Sequence, residues 1–136
     1  MNTWQFFFAK RVSYGAESSI VIPISLSSDT GNIVQVRASL DTGSTFCVFQ
    51  RHFAELLELD VEGGHPEWIG TATGSFLTYG HEVTLTTCGL EWQAVVYFAE
   101  SESFHLNVVG RVGFLDRLRI ALVEYEQDLY LSSYED

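Results

Sequence analysis

The 136 residues fit one domain and suffice to bury a core without a metal or a disulfide framework. Hydrophobic residues at 46% and charged ones at 18% exclude a disordered chain, while ten Phe, six Tyr and three Trp favour strands. Eighteen acidic residues against seven basic ones leave a net charge of −11, which repels phosphate backbones and anionic lipid, so neither nucleic-acid nor membrane partners are expected.

No apolar run reaches the ~20 residues that span a bilayer. Lys10 and Arg11 follow Phe6-Phe7-Phe8 instead of preceding it, so the start reads as a strand of the mature domain and not as a signal peptide. Residues 4–12 and 19–26 are the first two predicted strands. Ile20, Ile22, Ile24 and Leu26 alternate as a half-buried strand does, and Pro23 points to an edge or a bulge. Ser28-Asp29-Thr30-Gly31-Asn32 is a turn. Val34, Val36, Ala38 and Leu40 then alternate again and deliver the chain into Asp41.

Residues 51–59 carry Phe53, Leu56 and Leu57 at helical spacing, and Gly63-Gly64-His65-Pro66 breaks that helix. The Gly- and Thr-rich residues 68–79 predict a mobile hairpin, and residues 83–87 and 92–98 two further strands. A short amphipathic stretch, 114–118, follows Asn107-Val108-Val109-Gly110. A closing pair of strands, 120–125 and 129–131, turns at Glu126-Gln127-Asp128. Many short strands with one or two short helices predict an all-β, barrel-like fold. Cys47 and Cys88 have no metal-type spacing; free, buried thiols in a reducing, cytoplasmic setting are expected, with a single disulfide as the alternative.

Chemistry concentrates at Asp41-Thr42-Gly43-Ser44. An Asp at a strand end projects its carboxylate into a cleft while the strand fixes its position. Thr42 offers a hydroxyl to neighbouring backbone, Gly43 permits a tight turn and a close backbone approach, and Ser44 offers a donor to the carboxylate. Together they suit a general base acting on water. The same four residue types also make ordinary turns. The apolar alternation before the motif and Phe46-Cys47-Val48-Phe49 after it argue for a buried loop instead.

Residues 36–45 resemble the catalytic loop and leading strand of the retropepsin-like aspartic proteases, which include retroviral proteases and the protease-like domain of eukaryotic ubiquitin-shuttle proteins. Val108-Val109-Gly110-Arg111 resembles that family's second signature, and their separation suits one protomer. Between them, Gly70, Thr71, Ala72, Thr73, Gly74, Ser75 and Phe76 fall where the family places its flap, the hairpin that covers substrate. The resemblance spans residues 33–131. It implies a single-domain, closed β-barrel-like acid-protease fold over residues 1–136, acting as an aspartic endopeptidase on peptide or protein substrates. Asp41 is then the catalytic aspartate and Thr42 a hydrogen-bonding residue across a dimer, with Gly43 and Ser44 completing the loop. Val109 and Gly110 support it from beneath, and Arg111 braces the helix or the interface. Asp116 is expected to be a surface or capping residue.

Aspartic catalysis needs two carboxylates sharing one proton. The sequence holds one Asp-Thr-Gly, so the enzymatic reading requires a symmetric homodimer, with segments 1–8 and 129–136 as further interface. No cofactor or metal is expected: His52, His65, His81 and His105 are scattered, and His81-Glu82 lacks a second His at helical spacing. Nucleophile-elbow and phosphate-loop patterns are missing as well. The rival reading is a catalytically silent binding or interaction module on the same fold.

Overall fold

Ile22, Ile24 and Leu26 on one strand and Val34, Val36 and Ala38 on the next turn every second side chain inward, and all six are buried. The computed structural model describes residues 2–16 and 18–135. Its strands are β1 (Lys10–Ser13), β2 (Val21–Ser27), β3 (Ile33–Leu40), β4 (Val48–Phe49), β5 (His65–Thr71), β6 (Gly74–Thr87), β7 (Leu90–Ala99), β8 (Val108–Val109), β9 (Leu118–Val123) and β10 (Asp128–Ser133). One helix, α1 (Arg51–Leu56), and 3-10 turns at Val61–Gly63, Leu115–Arg117 and Glu124–Glu126 complete the described elements.

The fold is mostly β, as expected, but the expected closed barrel is not what forms. The strands divide into a three-stranded sheet, β1-β10-β9, and a seven-stranded sheet, β2-β3-β8-β4-β7-β6-β5. The long β6 also lends residues to β2, pairing Ser25 with Thr86 and Ser27 with Thr84. β5 nevertheless stays at the edge of the larger sheet, and β1 and β9 flank the smaller one. A barrel needs one ladder carried around every strand. Here β5 leaves the body as one arm of a hairpin, and the outer strands go to a separate sheet.

Pro23 explains part of the strand order. β2 pairs with β3 along its whole length but meets β6 only from Ser25 onward, so Pro23 lies where its missing N–H costs no ladder bond. Thr87 donates its hydroxyl to the Pro23 carbonyl at 2.9 Å. α1 is shorter than residues 51–59 predict. Ala54 and Leu57 face the core while Leu56 is exposed, and Glu58 at φ 60 ends the run. Stretch 114–118 yields only a 3-10 turn, beside a fully buried Phe114. The first predicted strand is also shorter: β1 starts at Lys10, and Trp4, Phe6 and Phe7 stay exposed ahead of it. Of the expected interface segments 1–8 and 129–136, Met1 and Asp136 lie outside the described residues. Both cysteines are free, Cys47 buried and Cys88 only half-buried.

Candidate functional site

Two very short strands place the Asp41 loop. β8 runs parallel to the end of β3, with Ser39 opposite Val108 and Leu40 opposite Val109, and β4 takes its other side, with Val48 opposite Val108. The chain therefore leaves β3 at Asp41 and returns at β4 after straddling β8. The Asp41 N–H donates to the Val109 carbonyl at 3.0 Å, which fixes the loop at its first residue. Asn107 holds the start of β8: its carbonyl accepts from the Ser39 N–H at 2.9 Å, and its side chain bonds Gln50 at 2.9 and 3.0 Å.

Within the loop, the Gly43 N–H donates to Asp41 Oδ1 at 2.9 Å and the Ser44 N–H to the Asp41 carbonyl at 3.1 Å. The Ser44 hydroxyl does not serve the carboxylate as the sequence suggests; it donates to the Phe46 carbonyl at 2.8 Å. Asp41, Thr42 and Gly43 are exposed in the single chain and Ser44 is half-buried. Beneath them, Gly110 is buried, and Arg111 and Val112 donate their N–H groups to the Ser44 and Thr45 carbonyls at 2.9 and 2.8 Å. The Arg111 side chain is on the surface. Asp116 Oδ1 accepts from the Gly113 N–H at 3.0 Å, a cap on this turn. Cys47 is buried under the same turn, 3.5 Å from both the Gly110 nitrogen and the Val112 carbonyl. Burial pushes its thiol up to about 11, and the Asp116 charge adds to the rise against the Gly110 N–H.

Asp41, Gly43 and Ser44 form one wall of a cleft of about 240 Å³. The β5–β6 hairpin covers it with Ile69, Gly70, Thr71 and Phe76, and Val48, Phe104, Leu106 and Val108 complete the lining. Ala72 and Thr73 make the hairpin's tip, since Thr71 pairs with Gly74 and Gly70 with Ser75. Thr73, Gly74 and Ser75 line a groove on the hairpin's outer side instead of the cleft. Thr42 and Arg111 also lie outside it, lining a neighbouring depression of about 540 Å³ with Thr45 and Val112. Val109 is buried behind the loop. Phe104 and Leu106 were not among the expected site residues, although their alternation with Val108, the first residue of the second signature, is a signal that could have found them.

Among the described residues, no three His, Cys, Asp or Glu side chains gather as a metal site would require. No described helix is long and apolar enough to cross a membrane.

A family model described as aspartyl protease matches residues 24–111, which contain the Asp41 loop, the hairpin and β8. No curated protein matches the chain. Among solved structures, a retropepsin-like aspartic protease from Rickettsia conorii superposes with a TM-score of 0.64 at 14% identity, covering 91% of this chain and 99% of that one. EIAV protease complexed with the inhibitor HBY-793 superposes with a TM-score of 0.57 at 20% identity, covering 74% of this chain and 88% of that one. At these identities the two structures speak for the fold alone.

Proposed function

This chain belongs to the aspartyl protease family, and from that premise we propose that it is an aspartic endopeptidase whose catalytic pair is completed by a second copy. The observation that carries the reading is the shared cleft, in which Asp41 and the hairpin residues Gly70, Thr71 and Phe76 face the same space.

Two Asp41 carboxylates brought together across a twofold axis share one proton, because like charges that close cannot both ionise. The charged member takes a proton from water while the protonated member hydrogen-bonds the scissile carbonyl oxygen. The water oxygen then bonds to the carbonyl carbon, and collapse of that adduct breaks the C–N bond as the leaving nitrogen takes up a proton. The Gly43 N–H, already 2.9 Å from Asp41 Oδ1, holds the carboxylate in orientation. An extended peptide beneath the hairpin would present its backbone to the hairpin, as β-augmentation does.

The test is cleavage of a mixed peptide library by wild type and by Asp41→Asn at matched concentration. Asparagine keeps the shape and removes the base, so cleavage should fall by about 10²–10⁴. Equal cleavage by both chains would remove Asp41 from the chemistry. A dimeric wild type that cleaves nothing would favour a silent binding module.

A further inference from the structure

We propose that Phe104 is a positioning residue whose ring latches the β5–β6 hairpin down over the Asp41 cleft in the free chain. The proposal rests on the protease reading only in treating that cleft as the place where substrate enters.

The hairpin has little else to hold its outer half. β6 pairs with β7 from Thr78 and Ala99 onward, and the Glu100 N–H ends that contact on the Leu77 carbonyl at 3.0 Å. Toward the tip, Phe76, Ser75 and Gly74 have only β5 as a ladder partner. The tip's side-chain bonds stay inside it: Thr71 Oγ1 donates to the Gly74 carbonyl at 3.0 Å and accepts from the Thr73 N–H at 3.3 Å. A two-stranded ribbon is marginal in water by itself.

Phe76 is half-buried, and its ring stacks on Phe104 with centroids 4.7 Å apart and planes at 26°. Phe104 belongs to the segment between β7 and β8, and both ends of that segment are tied down. Arg51 Nη1 donates to the Glu100 carbonyl at 3.2 Å at one end, and Gln50 holds Asn107 at the other. The latch therefore joins a loosely held hairpin to a firmly held wall. Phe76 and Phe104 also face two outer grooves besides the Asp41 cleft, so the stacked rings form the partition between them. Parting the rings would open the cleft sideways and free the hairpin to lift.

Hydrogen exchange on the full chain without ligand tests this. Phe104→Ala should speed exchange of the amides at 69–77 by roughly 2–13-fold, the range that one aromatic pair supports. Amides of β2 and β3 should keep their wild-type rates. Phe104→Leu, which retains apolar volume but not the stack, should act in the same direction, and Phe104→Tyr should restore wild-type exchange. Unchanged exchange at 69–77, or an equal rise in β2 and β3, would overturn the latch. The readout needs no catalysis: a chain that cleaves no peptide yet shows the confined change would keep the latch and lose the protease reading.

Discussion

Gly110 lies directly beneath Ser44, so closely that a Cβ on Gly110 would overlap the Ser44 carbonyl oxygen and stand 2.5 Å from that of Phe46. The neighbouring Arg111 N–H donates to the same Ser44 oxygen at 2.9 Å, so the loop has no room to retreat without losing a bond. Only a residue without a side chain fits between β8 and the Asp41 loop.

Gly110→Ala should therefore destabilise the chain by about 1–3 kcal/mol, the usual cost of forcing atoms into a filled interior. Denaturant titration of both chains measures it. A change below about 0.5 kcal/mol, the scale of ordinary surface substitutions, would show that the loop yields easily.

Asp41→Asn separates chemistry from folding. Its side-chain oxygen still accepts the Gly43 N–H, so stability should stay within about 0.5 kcal/mol of wild type. Asp41→Ala removes that acceptor and should cost about 0.5–1.5 kcal/mol. Thermal midpoints of the three chains, measured at one pH, check the ordering. A large loss in the Asn chain would mark Asp41 as structural.

Cys47 gives a pH dependence with a definite sign. Its thiol is held at about 11 in the fold against 9.0 unperturbed, so between those values the unfolded chain has released a proton that the native chain still binds. Stability is fully present below pH 9.0 and declines as pH rises through about 11, by up to about 2–3 kcal/mol. Tyr14, pushed up to about 12 by burial and by its hydrogen bond to the Glu124 carboxylate, acts in the same direction from pH 10.0 upward. Denaturant midpoints from pH 8 to 11 should fall less steeply in Cys47→Ala than in wild type. Parallel curves would contradict the shifted thiol.

Assembly is tested by sedimentation over a range of concentrations. The proposed dyad needs a dimer, and the exposed Asp41, Thr42, Arg111 and Val112 are the surface a second copy would have to cover. Val112, 48% exposed, should tolerate Val112→Glu in the folded monomer while the dimer weakens at least tenfold. A wild type that stays monomeric at every concentration, with a peptide-like inhibitor present, would remove the dyad mechanism.

Several features of this protein are legible in its sequence. Alternation marks the buried faces of β2 and β3 because side-chain direction in a strand repeats every second residue, a rule confined to one segment. The hairpin follows from glycine and threonine spacing, and Asp41 stands out at the end of an alternating strand. Each of these signals lies within a few consecutive residues.

Other features are set at longer range. Whether the strands close into a barrel depends on which sheet each one joins: β5 ends at the edge of the larger sheet and β1, β9 and β10 form another, and no single segment announces these partners. Ser44 could have bonded the carboxylate; the turn that brings the Phe46 carbonyl within 2.8 Å of its hydroxyl redirects it. Phe104 reads as a loop residue until folding stacks it on Phe76. Local sequence dictates which side chains turn inward along β2 and β3, and which short motif ends β3. Alternation marks Phe104, Leu106 and Val108 as an apolar edge, but that this edge shares a cleft with Asp41 is decided by the folded chain alone, because contacts between distant residues are selected by the packing of the whole molecule.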